Sequence, residues 1–140
     1  MVPEISVNFV AVAVAAIAGF AIGMAWYSPA LFGRQWEKAA GVGRNSMTKP
    51  KYGMAKSLVI SLVASVFMAF VLTHSLKYAA GMPTLMDGLT VGFWTWLGFM
   101  ATAQLNPMLW EGRPVKYYLI NVGYQLAQLL AMGLILAYMA

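Results

Sequence analysis

Four long stretches of the sequence contain no charged side chain, and they limit the possible folds more than any other feature. Positions 8–27, 57–75, 88–107 and 117–140 lack Asp, Glu, Lys and Arg. A helix of about 20 apolar residues crosses the hydrocarbon core of a bilayer. Only helices or closed barrels satisfy their backbone groups there, and these stretches lack the alternation of barrel strands. We predict an all-α integral membrane four-helix bundle, with transmembrane helices at 7–27, 54–76, 85–106 and 115–139.

The composition favours a single membrane domain over residues 1–140. Hydrophobic residues make up 61% of the chain and charged residues 9%, whereas soluble domains carry about 25% charged residues. The absence of cysteine excludes disulfides, thiol nucleophiles and thiolate metal sites. A net charge of +5 on so apolar a chain favours contact with anionic lipid headgroups over nucleic acid. Since no Lys or Arg precedes the first apolar run, we expect that run to be an uncleaved anchor.

Basic residues are concentrated on one side of the predicted membrane. With four spans, the loops after the first and third helices lie on the same side, and only Lys77 lies on the other. The positive-inside rule makes these loops cytoplasmic and leaves both termini outside. We therefore predict a multi-pass protein of a bacterial inner membrane. Its orientation depends on eight basic residues: Arg34, Lys38, Arg44, Lys49, Lys51, Lys56, Arg113 and Lys116.

The first of these loops opens with aromatic side chains and a proline. Trp26 and Tyr27 are amphipathic rings typical of the headgroup level. Ser28 and Pro29 suit the N-cap and first turn of a short amphipathic cytoplasmic helix at 29–40, followed by a basic loop at 41–53. A basic helix that binds a protein partner is the alternative. On the interfacial helix we expect Leu31, Phe32, Trp36 and Ala39 or Ala40 to face lipid, and Arg34 and Lys38 to face headgroups.

The two halves of the chain resemble a duplicated two-helix hairpin. The segment from Pro29 to Arg34 matches the segment from Pro107 to Arg113 after one inserted residue, and a Gly-Phe pair precedes each, at 19–20 and 98–99. Because the first and third helices run in the same direction, the repeat is parallel, with a pseudo-twofold axis along the membrane normal. Chance similarity between apolar segments is the alternative.

Small and polar side chains supply the contacts that join helices in lipid. Each predicted span has a stripe of small residues, which includes Ser61 and Ser65 in the second span, Gly88 and Gly92 in the third, and Gly123, Ala127 and Ala131 in the fourth. The amides of the last two spans fall at similar depth, and they form either a polar vestibule for a small solute or hydrogen bonds between helices. The candidate vestibule residues are Gln104, Asn106, Asn121, Tyr124, Gln125, Gln128 and Ser61.

No residue pattern points to catalysis. Ser-His-Asp sets, phosphate-binding loops and metal-ligand spacings are absent from the sequence, and no ionisable residue lies near the middle of a span to couple transport to protons. Thr84 and Asp87 fit a capping box, His74 is expected at the interface, and Glu37 and Glu111 read as solvated charges. We predict a protein with no enzymatic activity, cofactor or metal. Trp94 and Trp96 are expected to face lipid, or else to line an apolar pocket with Phe93 and Phe99.

Three segments resemble a bacterial family of small four-helix membrane proteins of unknown function. They are WYSPALFGRQW at 26–36, TLMDGLTVGFWTWLGF at 84–99 and LWEGRPVKYYLINVGYQLAQLLAMGLILAY at 109–138. The resemblance covers nearly the whole chain and implies the same fold, but no activity. The family commonly has a histidine where this chain has Gln125, and that departure argues against a proton-carrying site. We expect a structural or a partner-binding or lipid-binding bundle that forms a homodimer, with a passive channel or carrier for a small solute as the alternative.

Overall fold

The computed structural model describes residues 5–41 and 52–140. All regular elements of the described residues are helical. The long helices are α1, α3 and α6, and a short helix α2 follows α1. The third predicted span is divided into α4, a π-helical segment and α5. The bounds are α1 Phe9–Trp26, α2 Gly33–Ala40, α3 Met54–Ala79, α4 Leu85–Thr95, the π-helical segment Trp96–Ala101, α5 Leu105–Trp110 and α6 Val115–Tyr138.

Three of these helices are long and apolar enough to cross a membrane, namely α1, α3 and α6. Two helix starts are fixed by their side chains. The Asn8 carboxamide oxygen accepts the amides of Val10 and Ala11 at 3.1 and 3.2 Å. At the start of α4, Thr84 and Asp87 form the reciprocal capping box expected from the sequence. These contacts satisfy amides that a helix start leaves without partners.

The third predicted span, 85–106, is helical over most of its length but is not a continuous α-helix. Helix α4 ends at Thr95, and the chain passes through the π-helical segment and a turn at Gln104 before α5. Pro107 lies one turn after Ala103. Its nitrogen has no hydrogen to donate to the Ala103 carbonyl, and its ring crowds that carbonyl oxygen. The Tyr118 hydroxyl donates a hydrogen bond of 2.7 Å to the Ala101 carbonyl at the break.

Helix α6 occupies the centre of the bundle. It packs along α1 on one side and α4 on the other, while α3 packs mainly on α1. At the closest approach of α4 to α6, a Cβ on Gly88 would lie 2.2 Å from the Gly133 carbonyl oxygen. The glycine stripe of α4 therefore joins two backbones directly, as expected. On α6 the contact runs through Gly133 rather than the predicted Ala127 and Ala131, which are half-buried.

Helix α3 joins the bundle only through its second half. Ser65 is 3% exposed, and its hydroxyl donates to the Ala16 carbonyl at 2.8 Å. Ser61, one turn earlier in the same predicted stripe, is exposed, and none of residues 54–64 is buried. The stripe predicted from the sequence thus meets a neighbouring helix from Ser65 onward.

The turn after α1 differs from the prediction. The Ser28 hydroxyl donates to the Ala25 carbonyl at 2.7 Å, so it closes the end of α1 instead of capping a helix that starts at Pro29. Helix α2 begins at Gly33, where a Cβ would lie 2.2 Å from the Tyr27 carbonyl oxygen. Only a glycine allows the chain to fold back this closely.

Helix α2 packs against the bundle with the face that was expected to meet lipid. The Trp36 ring contacts the rings of Tyr27 and Tyr117, with centroids 5.9 and 6.1 Å apart. Glu37 is only 9% exposed, so its assignment as a solvated charge is wrong. Arg113 donates from Nη1 to the carbonyl of Ala40, the last residue of α2. Arg34 and Lys38 are exposed, as predicted, and residues 42–51 of the predicted basic loop lie outside the described part of the chain.

The matched Gly-Phe pairs of the proposed repeat have different surroundings. A Cβ on Gly19 would lie 2.5 Å from the Met132 methyl group, whereas one on Gly98 would meet nothing within 4 Å. The internal repeat stays a prediction from the sequence, and the two glycines do not share a packing role.

Candidate functional site

A cavity of about 390 Å³ lies between four parts of the chain. They are the end of α1, helix α2, the turn before α5 and the first turns of α6. It is open to the outside of the bundle at the end that carries the described basic residues of α2 and α6. Its walls consist of four aromatic rings and three carboxamides: Tyr27, Trp36, Tyr117, Tyr124, Gln104, Asn121 and Gln125. The cavity includes part of the polar region predicted from the last two spans.

The four rings pack in an unbroken row. Tyr124 meets Tyr27 edge to face at 5.5 Å between centroids. Tyr27 meets Trp36 in the same way at 5.9 Å, and Trp36 stacks on Tyr117 at 6.1 Å. Rings in these arrangements attract one another beyond their burial of area. The row links α1, α2 and α6 and gives the cavity a fixed aromatic wall.

The carboxamides differ in how well they are satisfied. The Tyr27 hydroxyl donates to Oδ1 of Asn121 at 2.6 Å, which holds both side chains in place. Oε1 of Gln125 and Nε1 of Trp36 are buried, and neither has a hydrogen-bond partner among the described residues. A buried polar atom without a partner costs about 1–3 kcal/mol. Both atoms belong to side chains that line the cavity, but the atoms themselves are shielded from solvent.

Three predicted vestibule residues do not line the cavity. Gln128 is buried beyond it, next to Gly19, whose carbonyl accepts a hydrogen bond of 3.3 Å from the Tyr124 hydroxyl. Asn106 and Ser61 are exposed on α5 and α3. Four predicted residues do line it: Gln104, Asn121, Tyr124 and Gln125.

The residues of the Trp-Tyr-Ser-Pro segment contact protein more than the sequence indicates. Nε1 of Trp26 donates to the Ile120 carbonyl at 3.0 Å, and the ring covers Gly123. Tyr27 lines the cavity, Pro29 is exposed, and Ser28 ends α1. The motif therefore fastens the end of α1 to α6.

Two tryptophan side chains, Trp36 and Trp96, make contacts within the protein that were not expected from the sequence. Trp36 was expected to face lipid and lines the cavity instead. Nε1 of Trp96 donates to the Val122 carbonyl at 2.8 Å, whereas Trp94 is exposed, as expected for a lipid-facing ring. Residues two positions apart on a helix point in different directions. The spacing of Trp94 and Trp96 therefore already indicated that both rings could not face lipid.

The interior of the bundle is tightly packed on the side of the cavity that faces away from the basic residues. Ala15, Ala16 and Met132 are fully buried at 0% exposure, and the Gln128 side chain packs across the gap between α1 and α6. The cavity therefore ends inside the bundle.

At the opposite end of the bundle, the polar side chains form hydrogen bonds with residues three or four positions away in the chain. Nδ1 of His74 lies 2.8 Å from the Phe70 carbonyl, and the imidazole packs between the rings of Phe70 and Tyr78. The Asp87 carboxylate accepts the amide and hydroxyl of Thr84. Within residues 5–41 and 52–140, no three His, Asp or Glu side chains are grouped so as to hold a metal ion.

Three apolar helices long enough to cross a membrane, with a polar cavity at one end of the bundle, indicate a small helical membrane protein. Its family is one of unknown function, as the resemblance implies. The chain belongs to DUF1761, described as a protein of unknown function, whose family model matches residues 10–137. No curated protein and no solved structure matches the chain significantly.

Proposed function

We propose that this protein is a non-catalytic, membrane-embedded binding protein that takes up a small uncharged molecule in the cavity of about 390 Å³. The observation that carries the proposal is the lining of this cavity, which brings four aromatic rings and three carboxamides together at one end of the bundle. Pockets for small molecules combine apolar and aromatic walls with a few polar groups in this way. None of the lining residues is ionised at neutral pH.

The distribution of charge supports a cytoplasmic opening for this cavity. Arg34, Lys38, Arg113 and Lys116 belong to the same end of the bundle as the cavity. By the positive-inside rule this end faces the cytoplasm of a bacterial inner membrane, where the exposed basic groups meet anionic headgroups. The proposed orientation leaves both termini outside, with the third segment as the fourth crossing.

Binding fits the geometry better than a purely structural role or a channel. A structural role for the amides requires that they bond one another, but the Gln125 oxygen has no partner among the described residues. A passive channel requires a path across the bundle, and fully buried Ala15, Ala16 and Met132 lie above the cavity. A blind cavity open at one end suits capture of a molecule from the cytoplasm.

Cysteine accessibility tests the proposal directly, because the chain has no cysteine of its own. Gln125→Cys and Gln128→Cys form a matched pair, three residues apart on α6, with only the first position lining the cavity. In oriented vesicles a membrane-impermeant methanethiosulfonate should label Gln125→Cys from the cytoplasmic side and leave Gln128→Cys unlabelled. Gln104→Cys should behave like Gln125→Cys.

Two results would contradict the proposal. Failure to label both Gln104→Cys and Gln125→Cys, in protein that unfolds at the wild-type temperature, would show that solutes do not reach the cavity. Labelling of Gln128→Cys as well, together with urea or glycerol flux through liposomes that contain the wild-type protein, would establish the passive channel instead.

A further inference from the structure

We infer that the π-helical segment Trp96–Ala101 positions the carboxamide of Gln104 in the cavity wall, because it contains one residue more than an α-helix would need there. This inference rests on the proposed binding function and names the part of the chain that gives the wall one of its three carboxamides. It is drawn from the burial of side chains on both sides of the segment, from the hydrogen bonds at its two ends and from the surroundings of Gly98.

The side chains of the third predicted span do not follow one continuous α-helix. Gly88 and Gly92 pack on α6, and an α-helix turns by about 100° per residue. Continued at that rate, the face that contains both glycines would pass through Phe99, Ala103 and Asn106. All three of these side chains are exposed, Phe99 to 74%. The face that meets α6 therefore changes register after Gly92.

The residues that do meet the bundle lie one position later. Met100, Gln104 and Pro107 are half-buried, in the places that an uninterrupted helix would give to positions 99, 103 and 106. A π-helical turn, with its i→i+5 hydrogen bonds, takes up about one residue more than an α-helical turn, which produces this shift. Ala101 would lie on the opposite side of an uninterrupted helix, yet it is only 7% exposed. The shift thus occurs within the π-helical segment, before the turn at Gln104.

Both ends of the π-helical segment are fixed to α6. At its first residue, Nε1 of Trp96 donates to the Val122 carbonyl at 2.8 Å. At its last residue, the Ala101 carbonyl accepts a hydrogen bond of 2.7 Å from the Tyr118 hydroxyl. Between these contacts, a Cβ on Gly98 would meet nothing within 4 Å. The extra residue is therefore accommodated where it displaces no side chain of another helix.

This shift determines how polar the cavity wall is. With the π-helical segment, Gln104 joins Asn121 and Gln125 in the wall. In a straight α-helix of the same sequence, the methyl group of Ala103 would take its place. Because a few polar groups fix the orientation of a ligand in a small-molecule pocket, the segment is a determinant of what the cavity can bind. Single π-helical turns inside α-helices are frequent at functional sites.

Deletion of Gly98 tests the inference, since it removes one residue from the segment without removing a contact to another helix. We expect the segment to become α-helical, while the residues on both sides of it keep their places against α6. Deletion of Phe67 is the matched control. Phe67 is also exposed, but it lies in the uninterrupted helix α3, between buried Ser65 and Ala69, whose relative orientation the deletion would change.

Stability separates the two deletions. Unfolding in detergent micelles is followed by circular dichroism as the fraction of sodium dodecyl sulfate rises. The variant without Gly98 should unfold at the wild-type fraction or above it, and the variant without Phe67 should unfold at a lower fraction.

Cysteine labelling reports which side chain reaches the cavity when Gly98 is deleted, with the wild-type numbering kept. The impermeant methanethiosulfonate should label Gln104→Cys as it does in the full-length chain and leave Leu105→Cys unlabelled. If the segment instead kept its π-helical geometry, every later residue would move back by one place, and Leu105 would replace Gln104 in the wall. Gln125→Cys in the same variant is the reference for access to the cavity, because it lies on α6.

Three outcomes would overturn the inference. A variant without Gly98 that is as unstable as the variant without Phe67 would show that the segment has no surplus residue. Labelling of Leu105→Cys in place of Gln104→Cys would show that the π-helical geometry does not depend on that residue. Loss of labelling at both positions, while Gln125→Cys still reacts, would show that the deletion removes this part of the chain from the wall.

Each of these outcomes leaves the proposed binding function standing, because that function is tested by labelling in the full-length chain. The binding function itself fails if neither Gln104→Cys nor Gln125→Cys is labelled when Gly98 is present.

Discussion

The contact between Gly88 and Gly133 allows a sharp test of how α4 is held against α6. A Cβ added at Gly88 would lie 2.2 Å from the Gly133 carbonyl oxygen and 2.7 Å from its carbonyl carbon, whereas ordinary contact begins at 3.4 Å. Both obstacles are backbone atoms inside a helix, so no side chain can rotate away. The two helices must instead separate by roughly 1 Å.

This separation determines how far Gly88→Ala should lower the free energy of unfolding. A gap of about 0.5–1 Å forfeits a quarter to a half of the dispersion energy between the atoms it parts, and overpacking of a well-packed interior costs about 1–3 kcal/mol. We therefore expect the free energy of unfolding to fall by about 2 kcal/mol. Unfolding in detergent micelles, with increasing sodium dodecyl sulfate and helicity measured by circular dichroism, provides the assay.

Two further variants make the reasoning refutable. Gly98→Ala adds the same methyl group to the third segment, where nothing lies within 4 Å, and should leave stability unchanged or raise it by up to about 1 kcal/mol. Gly133→Ala should cost as much as Gly88→Ala, because its Cβ would lie 2.2 Å from the Gly88 carbonyl oxygen. The double variant should cost less than the sum of the two, since the helices are already apart. Equal stability of Gly88→Ala and Gly98→Ala would refute the close backbone contact.

Three other substitutions test separate contacts by the same assay or by proteolysis. Ser65→Ala should lower the free energy of unfolding by about 0.6 kcal/mol, because Ser65 donates to a carbonyl of α1, while exposed Ser61→Ala should have no effect. Thr84→Ala should cost about 1 kcal/mol through loss of the capping box, and an unchanged midpoint would contradict that role. Arg113→Ala should speed tryptic cleavage after Lys38, since Arg113 binds the last carbonyl of α2; Lys116→Ala, at an exposed position, should not.

The sequence predicts where the spanning helices lie better than it predicts which faces meet. Lack of charge over about 20 residues is sufficient to indicate α1, α3 and α6, because the bilayer imposes that condition on every span. It does not separate a lipid-facing side from a buried one, since both are apolar. Ser61 and Ser65 illustrate this: they occupy the same predicted stripe, yet only Ser65 reaches another helix.

The candidate site was predicted in part for a similar reason. Amides are rare enough in spans to mark a polar region, and Gln104, Asn121 and Gln125 do share the cavity. The aromatic wall was missed because Tyr and Trp are equally typical of the headgroup level, where lipid satisfies their polar atoms. The position of Trp36 depends on the close turn at Gly33, and Ser28-Pro29 read as a helix start because that pattern is common there.

Helix α6 meets its two main neighbours in different ways. Toward its end, Gly133 lies against Gly88 of α4 with the two backbones in contact. Toward its start, rings fill the space between α6 and α1: a Cβ on Gly123 would lie 3.1 Å from the Trp26 ring, and one on Gly23 would lie 2.9 Å from the Tyr124 hydroxyl. The cavity lies beside these rings, since Tyr27 and Tyr124 line it. Truncation of one of them should therefore enlarge it, because neighbouring side chains close such a gap only in part.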